Sequence, residues 1–317
     1  MQTNVLLLID ENDTIKNRAS LLSAAQKLGQ VSAFVTGSSR DIDSLKTLTG
    51  IDSIFWLNRA GENFSTETLF STIEPYIEKA DCIVSSADVV GRNLLPKLAG
   101  KFQQLIVTNV LDIDQNDDHY LFKRPSFMGN IIETIAIPKQ ARCFLTVQAA
   151  RFIPADNENN PAVSVYPVTL KPSRHEIHIE PITQTEQKTS LNDANIVIGC
   201  GFGTKNLTNI DDLVHNLNKI GVTAVGVTRA LIDYQSGSLD ALIGQTGKSI
   251  SPDIYLALGI SGASQHICGV LNAKKIIAVN KDPEAPIFQI ADYGLIGDLH
   301  SIVPELIKNL FENHDKL

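Results

Sequence analysis

What this sequence lacks narrows it first. Its 317 residues include only four cysteines, Cys82, Cys143, Cys200 and Cys268, and no two of them stand in a CxxC spacing. No histidine cluster accompanies them, so neither a metal site nor a disulfide framework is supported. Cys82 lies in an apolar run and reads as a small buried hydrophobe, a pattern that fits a reducing compartment. Positive charge is in deficit: 27 Lys and Arg face 35 Asp and Glu, a formal net charge of −8. That sign disfavours nucleic-acid phosphates and anionic membrane surfaces. The apolar run at residues 5–9 is far too short to span a bilayer. It also lacks the basic start and small-residue cleavage site of a signal peptide and the Arg-rich character of a transit peptide. The expected location is the cytoplasm of a prokaryote.

Hydrophobic residues make up 43% of the chain, enough for two cores, and the length suggests two domains. The first hundred residues alternate strand-like runs (5–9, 31–36, 54–57, 82–86, 105–107) with helical ones (18–28, 66–79, 91–101), which predicts a parallel sheet with helices on both faces. Three strand-like runs then follow without helices between them, at 119–124, 129–137 and 142–148, and predict an antiparallel extension of that sheet. Residues 154–161 read as a polar surface loop, with strands at 163–170 and 176–182 beyond it. The polar run 183–193 is the expected linker and hinge. The domains are accordingly expected at 1–185 and 186–317, the first a Rossmann-like parallel sheet with the antiparallel extension, the second a doubly wound α/β unit. In the second, strands are expected at 195–198, 224–227, 254–258 and 275–279, and helices at 210–220, from 262 and from about 298.

Three motifs are incomplete. Gly199-Cys-Gly-Phe-Gly-Thr204 sits between a strand and a helix, but a dinucleotide fingerprint needs glycine at 204. Two readings stay open there: close approach of backbone amides to a phosphate, or an ordinary tight turn. Gly247-Lys248-Ser249 resembles the end of a phosphate-binding loop but lacks its first glycine, Leu242 standing in that place. The acidic run 112–118 lacks the glycine and glutamate of a calcium loop, having Asp117 and Lys123 there.

What is abundant is polar and glycine residues at strand ends between 226 and 298. Thr228 and Arg229 follow one strand, the Gly259–His266 turn another, and Asn280 a third. Ligands of open α/β sheets lie beyond the carboxyl ends of the strands, so these runs converge on one edge of one domain. Ser261 can cap a helix containing Gln265 and His266, which would turn its positive end to an anion.

The runs Pro252-Asp-Ile-Tyr-Leu-Ala-Leu-Gly-Ile-Ser-Gly-Ala-Ser-Gln-His266 and Ile277-Ala-Val-Asn-Lys-Asp-Pro-Glu-Ala-Pro-Ile-Phe-Gln-Ile-Ala-Asp-Tyr-Gly294 closely resemble the alpha subunit of electron-transfer flavoprotein. The resemblance is strongest over 196–307 and recognisable at Gly91–Pro96 and Met128–Asn130. It implies an FAD in the second domain. By that resemblance Gly203, Thr228, Arg229, Ile243, Gly244, Gln245, Thr246, Ser261, Gly262, Ala263, Ser264, Gln265, His266, Asn280, Asp298 and Leu299 bind the cofactor. Arg229 lies against the isoalloxazine ring, Thr246 near N5 and His266 near the C2 carbonyl. Asn280 and Asp298 hold the adenosine end. Reduction places negative charge on the N1–C2=O edge of a flavin, and a cation, a histidine and a helix N-terminus there would stabilise it. The family commonly has Gly-Arg-Gly where this chain has Gly201-Phe202-Gly203, with Lys205 the nearest cation, and an apolar residue where Ser264 stands.

The resemblance further implies a soluble electron carrier, not an enzyme with its own substrate. It would work as a heterodimer with a beta subunit that contacts the first domain. Electrons would come from flavoprotein dehydrogenases, such as the acyl-CoA dehydrogenases of fatty acid beta-oxidation, and leave to a membrane quinone oxidoreductase. A pathway-specific or electron-bifurcating paralogue, or a flavoenzyme with a small substrate, are the alternatives.

Overall fold

The computed structural model describes residues 3–11, 13–58, 65–129, 131–156, 163–173, 190–191, 194–235 and 239–314. The chain divides into two compact units, Met1–Thr183 and Gln184–Leu317. The expected strand at 176–182 and most of the expected hinge at 183–193 lie outside the described residues. Among the described residues no helix is long and apolar enough to cross a membrane.

The N-terminal unit is built on β1 (Asn4–Ile9), β2 (Gln30–Gly37), β3 (Ile51–Asn58), β4 (Cys82–Ser86) and β5 (Leu105–Val110), separated by helices α1 (Ile15–Gln26), α2 (Ser39–Lys46), α3 (Thr66–Ile77) and α4 (Val89–Phe102). Three of these helices start where a polar side chain takes an orphan amide. Thr14 accepts from the Asn17 amide, Ser65 from Thr68 and Asp88 from Gly91. The strands are apolar on both faces, as a sheet covered by helices requires. One core packs around Leu7, Leu21, Val35 and Leu145, the other around Leu8, Phe34, Ile83 and Phe144.

The chain then forms β6 (Asp112–Gln115), β7 (His119–Ser126), β8 (Ile131–Pro138), β9 (Cys143–Val147) and β10 (Ser164–Pro167). The expected antiparallel extension takes a different form. β6, β7 and β8 make a separate three-stranded sheet, and β9 returns to the main sheet between β4 and β5, giving the order β10-β3-β2-β1-β4-β9-β5. β9 pairs parallel with both neighbours. Every residue of β9 is buried, which is the signature of an interior strand, whereas β8 is largely exposed. The acidic run after Asp112 is thus a strand and a turn, and Asp112 is held by Lys27 and Lys123 at 3.3 and 2.9 Å.

The C-terminal unit contains β11 (Ile196–Cys200), α5 (Ile210–Leu217), β12 (Thr223–Val227), α6 (Arg229–Gln235), β13 (Ile254–Leu258), α7 (Ser264–Ile267), β14 (Lys275–Asn280), β15 (Tyr293–Ile296) and α8 (Leu299–His314). Its sheet has the order β12-β11-β13-β14-β15, all pairs parallel. Strand order reverses between β11 and β13. Such a reversal is where doubly wound folds receive a ligand.

Candidate functional site

The site is built from the turns that follow β11, β12, β13 and β14. The first, Gly201–Thr204, is closed by its own groups. The Thr204 amide and hydroxyl both donate to the Gly201 carbonyl, at 3.0 and 2.8 Å. Gly201 N–H donates to Leu258 O and Gly203 N–H to Gly259 O, at 2.8 and 3.2 Å. A Cβ on Gly201 would stand 2.2 Å from the Gly259 oxygen. Of the two readings left open, the tight turn therefore describes these amides: the glycines let two turns meet, and their N–H groups are committed to that contact. Gly259 itself sits at φ +60°, a conformation that glycine tolerates and other residues resist.

At the end of β12, the Thr228 amide donates to the Cys200 carbonyl at 3.0 Å. This fixes Thr228 beside the first turn. Its hydroxyl is buried and has no hydrogen-bond partner among the described residues, which a native structure rarely leaves so. Arg229 is exposed and donates to the Thr246 hydroxyl at 3.1 Å. The segment carrying Ile243, Gly244, Gln245 and Thr246 is held from both sides. Ile243 N–H donates to Val227 O at 3.0 Å and Gln245 N–H to Gln265 O at 2.7 Å. Gly244 has φ +134°, and a Cβ there would lie 2.4 Å from the Gln265 oxygen.

His266 is buried, 6% exposed. Its Nδ1 faces the Ile243 carbonyl at 3.2 Å and its Nε2 faces the Tyr255 hydroxyl at 2.8 Å. A carbonyl only accepts, so Nδ1 carries the proton and Nε2 accepts from Tyr255. Burial pushes the imidazole pKa down to about 4, against the opposing pull of the Ile243 carbonyl. The ring is neutral near pH 7, so its part in the site is hydrogen bonding and packing. Arg229 is the cation this arrangement offers. Tyr255 was not singled out in the sequence. Its signal lies in the neighbouring strand, where a Cβ on Gly199 would meet the Tyr255 hydroxyl at 1.9 Å, so glycine makes room for the ring.

The helix after β13 also differs from expectation. α7 has four residues, with Ala263 rather than Ser261 at its N-cap and no side-chain cap. Gly262 at φ +89° is incompatible with a helix starting there. So short a helix has little dipole, but its first amides have no intrahelical acceptor. Ser261, Ala263, Ser264 and Gln265 are exposed around them. Asn280 pins this turn from β14, its amide nitrogen donating to Ile260 O at 2.8 Å and its oxygen accepting from Asp282 N–H at 3.0 Å. Asp298 caps α8, accepting from His300 N–H at 3.0 Å. Buried Leu299 lies 3.0 Å from where a Gly259 Cβ would be.

The expected residues therefore gather on one sheet edge with distinct tasks. Gly203, Gly244, Gly262, Ile243, His266, Asn280 and Leu299 shape and brace the turns. Thr228, Arg229, Gln245, Thr246, Ser261, Ala263, Ser264 and Gln265 offer polar atoms or exposed surface. An orphaned buried hydroxyl, an exposed guanidinium and uncapped amides at a strand-order reversal fit an anionic dinucleotide such as FAD.

Comparison with known proteins agrees with this geometry. Residues 5–171 match the family described as electron transfer flavoprotein domain, and residues 190–271 the family described as electron transfer flavoprotein FAD-binding domain. The chain is 34% identical over 261 residues to the mitochondrial electron transfer flavoprotein subunit alpha of Arabidopsis thaliana, covering 77% of this chain and 70% of that one. It is 32% identical over 325 residues to the Dictyostelium discoideum protein of the same name, covering 95% and 89%. To the electron transfer flavoprotein subunit alpha of Bacillus subtilis it is 34% identical over 231 residues, covering 72% and 70%.

Proposed function

This chain belongs to the electron-transfer flavoprotein alpha-subunit family and carries its FAD-binding domain, and from that premise we propose that it is the FAD-holding half of a cytoplasmic heterodimer with a beta subunit. The pair takes electrons from flavoprotein dehydrogenases, acyl-CoA dehydrogenases among them, and delivers them to a membrane quinone oxidoreductase. It has no small substrate of its own. FAD, when bound, supplies the one- and two-electron chemistry. The protein's task is to bind, orient and bias it.

The observation that carries this reading is the gathering of Arg229, the unpaired Thr228 hydroxyl and the uncapped 261–265 turn at one strand-order reversal. Arg229, oriented by its bond to Thr246, holds positive charge where reduction brings negative charge. His266 supports the site as a neutral brace. Its Tyr255 and Ile243 bonds fix the 243–246 segment against α7. Asn280 pins the Gly259–Gly262 turn through the Ile260 carbonyl.

The test is co-expression with the beta subunit, followed by mixing of the yellow heterodimer with a substrate-reduced acyl-CoA dehydrogenase. Bleaching of the flavin bands by the dehydrogenase alone supports a carrier. Bleaching by a small substrate without any partner protein would support a flavoenzyme instead.

A further inference from the structure

A series of contacts runs from inside the second sheet out to the exposed Arg229, and Tyr255 starts it. Gly226, Gly199, Ala257 and Ala278 stand side by side in register on β12, β11, β13 and β14. Such a row of small residues leaves room above the sheet. Ile243 fills one end, its Cδ1 lying 2.2 Å from where a Gly226 Cβ would be. The Tyr255 ring fills the next place, over Gly199. That ring is fully buried, so its hydroxyl needs a partner inside the protein. It finds His266 Nε2 at 2.8 Å.

His266 passes the contact on. A neutral imidazole gives with one nitrogen and receives with the other. Here Nε2 receives from Tyr255, and Nδ1 gives to the Ile243 carbonyl at 3.2 Å. The second bond lies at the long end of the usual range. The first fixes the ring plane that lets Nδ1 reach the carbonyl. Beyond Ile243 there is little slack. A Cβ on Gly269 would stand 2.6 Å from the Gly244 nitrogen, and one on Gly244 would stand 2.4 Å from the Gln265 oxygen. The 243–246 segment and the residues around α7 therefore meet backbone to backbone, and close-packed backbones transmit a shift instead of absorbing it. Three residues on from Ile243, Thr246 accepts from the Arg229 guanidinium at 3.1 Å. Arg229 is exposed, and a long exposed side chain has many rotamers, so this bond narrows where its charge stands.

We propose that Tyr255 is a positioning residue for the cofactor site: through His266 and the 243–246 segment, its hydroxyl fixes where Thr246 holds the Arg229 guanidinium. The proposal rests on FAD occupying the C-terminal unit. Tyr255 is wholly buried and acts on the flavin only through these residues.

The test compares the parent with Tyr255→Phe, which keeps the ring and removes the hydroxyl. The first readout is nitrogen NMR of the flavin-free full chain labelled at histidine, with the His266 signals assigned by their absence in His266→Gln. The Nε2 signal should move toward that of an unbonded imidazole nitrogen. The second is a redox titration of the FAD-loaded full chain co-expressed with its beta subunit. At a fixed ambient potential the ratio of reduced to oxidised flavin should fall roughly threefold, part of what removing an exposed cation would do. In an Arg229→Ala background the same substitution should change that ratio by less than about 1.5-fold, because both changes act on one charge. An unmoved Nε2 signal overturns the proposal. So does a moved signal with an unchanged flavin ratio, which would make the hydroxyl a support of the fold alone. A threefold fall that persists in the Arg229→Ala background overturns it as well. A parent pair that takes up no FAD overturns the cofactor assignment and the proposal together; a parent that holds FAD and gives any of the three preceding results overturns the proposal alone.

Discussion

The two units carry the same device with opposite contents. Each contains a parallel sheet with a reversal of strand order at its first strand, between β1 and β4 in the first unit and between β11 and β13 in the second. At the first reversal the chain places Asp10, Asp13 and Asp88, and Asp13 is 5% exposed. Burial and then the Asp88 charge push its carboxyl up to about 7. At the second reversal stand a glycine turn, Arg229, Lys205 and an unpartnered hydroxyl. A diphosphate would be repelled at the first and attracted at the second. A shared reversal of strand order therefore sets where a ligand can bind, and the side chains at the crossing decide whether one does.

The comparison can be broken most forcefully at the glycine contact. Gly259→Ala puts a side chain at φ +60° and 2.7 Å from the Gly203 Cα. We expect a loss of about 3 kcal/mol or more in the C-terminal unit, read as a lower denaturant midpoint, with the N-terminal unit unaffected. Next is Asp13→Asn, which acts on the acidic crossing. The raised pKa means that the folded unit keeps a proton the unfolded chain gives up, so stability falls as pH rises from near 4 to about 7. Removing that charge should stabilise the N-terminal unit by on the order of 2 kcal/mol at pH 8 and by little at pH 4. Equal gains at both pH values would refute the buried-charge explanation.

Smaller changes sharpen the picture of the second crossing. Tyr255→Phe leaves His266 Nε2 buried without a donor and should cost about 1–2 kcal/mol in thermal unfolding. No loss would mean that the imidazole finds another partner. Arg229→Ala should make the flavin harder to reduce, shifting its two-electron midpoint by about 20 mV to more negative values, the equivalent of ~1 kcal/mol. A midpoint that stays put would remove Arg229 from the charge balance.

Much of this was legible in the residues. Alternating apolar runs revealed both parallel sheets, because helix and strand periods differ. Polar residues after 227, 258 and 279 mark the sheet edge at which the candidate site gathers. β9 was misplaced because five residues following a hairpin look like another antiparallel strand. Its Cys143-Phe-Leu-Thr-Val147 run, apolar without alternation, was the available signal for an interior strand. The sequence starts the helix two residues early, at 262, because Gly262 acts through its positive φ, which periodicity does not register. The state of His266 was out of reach: its partners Tyr255 and Ile243 come from two other segments, and only their assembly shows the ring to be neutral.

The buried Thr228 hydroxyl, unpartnered among the described residues, is assigned to the cofactor and not to the protein. Thr228→Val removes the hydroxyl and keeps the shape. We expect a flavin-free chain as stable as the parent or slightly more so, since no protein bond is lost, together with FAD affinity reduced about fivefold. A flavin-free chain that is destabilised while FAD affinity stays unchanged would contradict it.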